Sequence, residues 1–212
     1  MLSSLLVAIT RLLEFVTSVP SNIDWTKSSL YASMLSISAP PVLWNLVARN
    51  EFRRRTLAKY IGPHAGCITL ATIIFAVGLY REVLYIKALD DQPEYSLLRG
   101  FKTAAFWILL VTSNLLLITS FSGLGFYGTF FGDHFGILKE ERVTRFPFSV
   151  LDDPMYVGST IYFVGIAVWY ERPAGLMLSL YAALNYYIAL KFERPFTNMI
   201  YGKQNSDLNH RD

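Results

Sequence analysis

From Tyr156 to Leu190 the chain is apolar except for one interruption, Glu171-Arg172-Pro173, and this run limits the fold more than any other stretch. As one straight helix it would be about 50 Å long, against a bilayer hydrocarbon core of about 30 Å. It has to fold back. The Glu-Arg-Pro step supplies the turn, because a residue before proline avoids the helical region. The spacing predicts two antiparallel helices, Gly158 to Tyr170 and Ala174 to Leu190. Such a hairpin returns Glu193-Arg194-Pro195-Phe196 to the face that carries Asp152-Asp153-Pro154-Met155-Tyr156, whereas a single crossing would hold the two clusters a membrane apart.

Three further apolar segments precede the hairpin: about Leu30 to Val47, Gly66 to Leu84, and Thr103 to Phe121. The first contains Pro40-Pro41, which predicts a kink whose freed carbonyls need protein or water as partners. Composition agrees with membrane residence. Only 17% of residues are charged, where a soluble domain carries about 25%, and the mean hydropathy is +0.35. Residues 2 to 16 alternate Leu2, Leu5, Leu6 and Ile9 with Ser3, Thr10 and Arg11 at helical spacing, but at about 22 Å this helix is too short to span and is predicted to lie along the interface. A signal peptide is disfavoured there, since no positive charge precedes the apolar residues. The expected fold class is therefore all-α integral membrane, a helical bundle of about four to five membrane segments with a C-terminal helical hairpin and an N-terminal interfacial helix. The expected organisation is a single membrane domain, 1–212: an interfacial helix at 1–19, three membrane helices within 30–122, a polar stretch at 123–157, and the hairpin with its C-terminal motif at 158–201.

Charge sets the expected orientation. After the first segment come Arg49, Arg53, Arg54, Arg55 and Lys59 against Glu51 alone, five minus one, or +4. The positive-inside rule places that loop in the cytosol. The segment from Arg81 to Lys102 is charge-balanced and is assigned to the opposite, lumenal side. The polar stretch then falls on the cytosolic side with the basic loop. The single cysteine, Cys67, excludes an intrachain disulfide and a cysteine-based zinc cluster, and His64, His134 and His210 lack metal-ligand spacing, so no metal is expected. Nothing has the shape of a nucleic-acid site, so no nucleic-acid partner is expected.

Polar chemistry pinned between membrane segments points to a site at the bilayer surface. The stretch from Gly123 to Ser159 carries glycines at 123, 125, 128 and 132, and then a dense alternation of Asp133, Lys139, Glu140, Glu141, Arg142, Arg145, Asp152 and Asp153. Its run Gly-Thr-Phe-Phe-Gly-Asp-His-Phe-Gly-Ile-Leu-Lys-Glu-Glu-Arg-Val-Thr-Arg-Phe-Pro-Phe, residues 128 to 148, resembles the signature of the phospholipid methyltransferases. The family's Asn-Pro-Met-Tyr-x-Gly-Ser matches Asp153 to Ser159, and its Glu-Glu-Pro-Phe-Thr matches Glu193 to Thr197. Trp44 to Arg49 and Gln92-Pro93 also fit. The resemblance runs from about residue 34 to 201 and is nearest to the fungal-type branch. There are three departures. The family's Gly-x-Gly in the third span falls on Val111-Thr112-Ser113, the second acid of its Glu-Glu pair is Arg194, and its Gly-Asp-Tyr-Phe-Gly has His134 in place of tyrosine.

The resemblance implies an enzyme that methylates the amine of phosphatidylethanolamine or its mono- and dimethyl derivatives, making phosphatidylcholine, with S-adenosyl-L-methionine as methyl donor. It implies a multi-pass protein of the endoplasmic reticulum membrane, including the part associated with mitochondria. Its partners are then the bilayer and a phospholipid substrate, and a homo-oligomer stays open. The acceptor amine must lose its proton before it attacks, so acids and a histidine near the interface are the candidate catalytic groups: Asp133, His134, Glu140 and Glu193. Glu193 and Arg194 are expected at the amino and carboxylate ends of the donor, with Gly125, Gly128, Pro154, Tyr156 and Gly158 shaping its pocket. Tyr127, Phe131 and Phe135 are expected to face the cationic amine, and Trp44 and Asn45 the lipid, beside a lateral gate at Pro40-Pro41. Two other readings remain. An isoprenylcysteine carboxyl methyltransferase has a similar hairpin but lacks the Gly-Asp-x-Phe-Gly and Val-Thr-x-Phe-Pro-Phe elements. The other is a non-catalytic membrane lipid-binding protein.

Overall fold

The computed structural model describes residues 19–95, 101–139 and 143–209. The predicted interfacial helix and Glu140 lie outside the described residues. The long helices are α1 (Ser28–Arg54), α3 (Pro63–Asp90), α4 (Lys102–Thr129), α5 (Pro154–Tyr170) and α6 (Pro173–Asn209), with a four-residue α2 (Ala58–Ile61) between α1 and α3. No strand occurs among the described residues. Helices α1, α3, α4 and α6 are each long and apolar enough to cross a membrane. At 17 residues, α5 reaches about 25 Å and sits at the short end of the spanning range. The fold is an all-α, multi-pass membrane bundle.

Its outer surface is built for lipid. Phe75 is 62% exposed, Ile108 66% and Leu180 64%, an apolar exterior that water would not tolerate on this scale. The inside is close-packed through small residues, as helices without a hydrophobic drive to associate require. The main helix pairs are α4 with α5, α5 with α6, α1 with α3, and α1 with α6. A Cβ built on Gly175 would stand 2.6 Å from the Cβ of Ala167 and 2.8 Å from Leu89 Cδ2, so only glycine lets the two arms of the hairpin approach this closely. Tyr85, fully buried, donates its hydroxyl to the carbonyls of Phe163 at 2.9 Å and Gly175 at 3.1 Å, tying α3 to both arms.

The hairpin turns where the sequence puts it. Glu171 takes the left-handed conformation, φ 52°, its amide bonds back to α5, and Pro173 opens the next helix. At this end of the bundle Lys102 pairs with Glu171 at 3.2 Å and Arg172 with Glu94 at 2.9 Å. Gln92 exchanges two hydrogen bonds with the backbone of Asp24, at 2.8 and 2.9 Å, which explains why a buried glutamine sits in a loop.

Element lengths differ from expectation in three places. Helix α1 runs unbroken through Pro40 and Pro41 to Arg54. Helix α4 continues past Phe121 to Thr129 and bends at Gly125, whose φ of 69° leaves the helical region; the first residues of the central stretch are thus helix. Helix α6 does not stop at Phe192-Glu193-Arg194-Pro195-Phe196 but carries Pro195 inside it. An internal proline costs about 3 kcal/mol. Here neighbouring contacts hold both sides of it: Arg49 donates to the Phe192 carbonyl and lies 4.9 Å from the Phe196 ring centroid.

The glycine contact yields the first prediction. Gly175→Val should lower the thermal unfolding midpoint of the purified protein in detergent, by the equivalent of about 1–3 kcal/mol for overpacking. Gly78→Ala, where an added Cβ meets nothing within 4 Å, should leave the midpoint in place; fluorescence-monitored melts compare the two.

Candidate active site

The site is assembled at the basic end of the bundle from α1, the bend of α4, the loop that follows, and both arms of the hairpin. Glu51 ties the end of α1 to α2. It is buried to 1% exposure in the last turn of α1, among basic residues, and its carboxylate accepts from Thr56 Oγ1 at 2.8 Å and from the amides of Leu57 and Ala58 at 2.7 and 2.9 Å. These amides open α2, so the acid caps it and satisfies donors that would otherwise be orphaned.

After α4 the chain makes a single 3₁₀ turn, Gly132–Phe135, entered through Phe131 at φ 59° and left through Gly136 at φ 81°. Only glycine fits position 132, where a Cβ would fall 2.7 Å from the Tyr127 carbonyl oxygen. The turn fixes Asp133 and His134 as a pair, Oδ1 to Nδ1 at 2.8 Å, with Asp133 Oδ1 also accepting from the His134 amide at 3.0 Å. The imidazole is buried and stacks on Phe196 of α6, centroids 5.0 Å apart at 22°, with Phe131 and Phe52 against it edge-on. This stack joins the loop to the last helix, next to Glu193.

The hairpin brings the two acidic clusters together. Tyr156 of α5 donates its hydroxyl to Glu193 Oε2 of α6 at 2.8 Å. Arg194 pairs with Asp153 and lies 3.4 Å from Asp152. Lys139 donates to the Gly123 carbonyl at 2.6 Å and draws the loop back over the bend.

Two connected chambers result. A smaller one of about 230 Å³ is lined by Asp133, His134, Glu193, Arg194 and Lys139. The larger, about 490 Å³, reaches into the bundle between α1 and α3, past Pro40, Pro41, Trp44 and Asn45. Gly128, Phe131, Asp152, Asp153 and Glu193 border both. Of the residues singled out from sequence, the chambers bring together Trp44, Asn45, Gly128, Phe131, Asp133, His134, Pro154, Tyr156, Glu193 and Arg194.

Four stand outside the lining. Gly125 forms the bend of α4. Gly158 lies against Leu116 and Leu117, and its carbonyl accepts from Ser113 Oγ at 2.8 Å. Tyr127 faces His64, Nδ1 to hydroxyl 3.0 Å, and Phe135 packs into a small core with Cys67 and Leu70. The Val111-Thr112-Ser113 triplet is likewise a packing element, with Val111 facing out and Ser113 bonded to α5.

Arg81 and Glu82, assigned from sequence to the lumenal end, instead line the larger chamber with Tyr186. The available signal was two ionisable residues within the length of a membrane helix. Arg49 was also missed; its role depends on a residue 143 positions away.

Comparison with known proteins decides the family. Residues 101–204 match the phospholipid methyltransferase family model. The phosphatidyl-N-methylethanolamine N-methyltransferase of Neurospora crassa is 46% identical over 188 residues, covering 87% of this chain and 88% of its own. The chain belongs to the phospholipid methyltransferase family. The enzyme of the same name from Saccharomyces cerevisiae is 39% identical over 193 residues, 90% and 94% of the two chains. The human phosphatidylethanolamine N-methyltransferase is 40% identical over 207 residues, 95% and 99%. No solved structure matches. Family membership sets aside the isoprenylcysteine reading.

The contacts around Pro195 predict a local effect. Arg49→Ala should speed amide hydrogen exchange at residues 191–198 and leave 174–186 protected, as followed by mass spectrometry of the protein in detergent.

Proposed function

We propose that this methyltransferase moves methyl groups from S-adenosyl-L-methionine to the amine of phosphatidylethanolamine and its mono- and dimethyl derivatives, producing phosphatidylcholine at the endoplasmic reticulum membrane. The observation that carries the reading is the joining of a polar, acid-lined chamber at the membrane surface to a larger one opening between helices. A water-soluble donor and a lipid acceptor need two such openings that meet.

The donor set fits the polar part of S-adenosylmethionine. Asp133, Glu193 and Asp153 suit an ammonium and a sulfonium, and Arg194 suits a carboxylate once it exchanges its aspartate partners. When bound, this group supplies an activated methyl for in-line displacement by nitrogen. The chain's own work is alignment, worth up to about 7–11 kcal/mol in well-oriented systems, and removal of a proton. Tyr156 fixes one oxygen of Glu193 and leaves the other free to face the chamber. Asp133 accepts from Nδ1 of His134 and so selects the tautomer of the neutral imidazole in which Nε2 is the acceptor for the proton leaving the amine. Phe131 at the junction offers its ring to the cation that methylation builds up. The lipid tails stay in the bilayer and leave the chamber beside Pro40, Pro41 and Trp44.

Microsomes expressing the chain, supplied with labelled donor and either phosphatidylethanolamine or its monomethyl form, should accumulate labelled phosphatidylcholine. No label in any lipid removes the enzymatic reading and leaves the lipid-binding one. Glu193→Gln should cut turnover at least about 100-fold, as losing a charged contact at the reacting centre does, while the protein remains folded by its melting profile. Retained activity would take Glu193 out of the site.

A further inference from the structure

Among the described residues, the larger chamber has one guanidinium in its lining, and the methyl transfer itself does not supply its purpose. Arg81 is on α3, well inside a membrane helix, where an ionisable side chain is costly and calls for a function. It contacts Glu82 through Nη2 at 3.0 Å and the Tyr186 hydroxyl through Nη1 at 3.1 Å, and lies 5.0 Å from the Phe163 ring centroid. Its Nε is buried without a hydrogen-bond partner. A guanidinium has five N–H donors in a fixed fork. Two are used here, so Arg81 retains a set of donors in a chamber that faces the membrane.

We propose that Arg81 is the phosphate-holding residue of the lipid acceptor site, with Tyr186 as its partner. This rests on the lipid N-methylation reading above. The Tyr186 hydroxyl accepts from Arg81 and keeps its own proton to donate, so an arriving phosphate oxygen has the remaining Nη protons and one hydroxyl to meet. Each ligand then has an arginine of its own. Arg194 serves the chamber at the basic surface, whereas Arg81 lines only the one open between α1 and α3. The acids around Arg81 are Glu82 beside it and Asp152, Asp153 and Glu193 across the chamber. That surplus repels a bare anion but suits a zwitterion: phosphate on Arg81, ammonium towards Glu193. Along α6, Tyr186 lies seven residues below Glu193, about 10 Å, so the headgroup is held amine upward, towards the donor, and tails downward, towards the lateral opening. One anchor on the phosphate, which no methylation alters, lets successive acceptors bind in the same register.

The test uses native mass spectrometry of the full chain in a non-ionic detergent, with added phosphatidyl-N-methylethanolamine or a diacylglycerol of the same tails. The wild type should retain the phospholipid about 10- to 100-fold better than the diacylglycerol. Arg81→Gln should lose that preference, Arg81→Lys should keep most of it, and Tyr186→Phe should weaken it several-fold. In turnover, Arg81→Gln should raise KM for the lipid by about 10- to 100-fold and leave KM for the donor within about twofold. An unchanged lipid preference in Arg81→Gln, no preference in the wild type, or an equal rise in the donor's KM overturns the proposal. If Arg81→Gln does not fold, Tyr186→Phe decides: a preference equal to wild type overturns it. A wild type that discriminates between these lipids yet transfers no methyl group sinks the N-methylation reading and leaves the phosphate site standing.

Discussion

The close contact of Gly175 with Ala167 is the constraint on which the site depends. It lets α5 and α6 run side by side from the Glu171-Arg172 turn, so that two acidic clusters far apart in sequence meet at the other end. In a bilayer, helices gain little from burying apolar surface against each other, because lipid is equally apolar; close packing of small residues replaces that drive. Tyr85 adds a polar tie from α3 to both arms, at a depth where its hydroxyl has no water to turn to. A larger residue at 175 would splay the arms and part Tyr156 from Glu193.

The polar residues of the site serve two kinds of purpose. Glu51, Lys139 and Arg49 hold backbone: they cap a helix start, pull a loop over a bend, and support α6 around Pro195. Asp133, His134, Tyr156, Glu193 and Arg194 face the chambers. The His134-Phe196 stack links the two sets, since the ring that holds the imidazole is itself under Arg49. This explains why residues spread from α1 to α6 converge on one imidazole.

Much of this was legible in the sequence. The four spans could be read because a bilayer demands length and apolarity together, and the hairpin because an apolar run of that length exceeds the hydrocarbon core. The motifs around Asp133, Tyr156 and Glu193 could be read as a family signature, and eight of the residues chosen there line the chambers, with Trp44 and Asn45 of α1. What failed were element ends and facing. The last helix reads as ending at Leu190, yet α6 passes on through Pro195; Gly125 and Gly158 read as pocket glycines, yet one bends α4 and the other seats a neighbouring helix.

The sequence by itself determined that the chain is a membrane helical bundle of the phospholipid methyltransferase family and that its family motifs gather with the basic residues, because hydropathy, charge bias and local motifs are properties of neighbouring residues. Only the tertiary structure decided which side chains share a chamber. Arg81 illustrates the difference. At the end of an apolar run it reads as a lumenal charge, and only the packing of α3 against Phe163 and Tyr186 turns it inward. Such facing depends on helix rotation and on residues more than a hundred positions away, which no local pattern encodes.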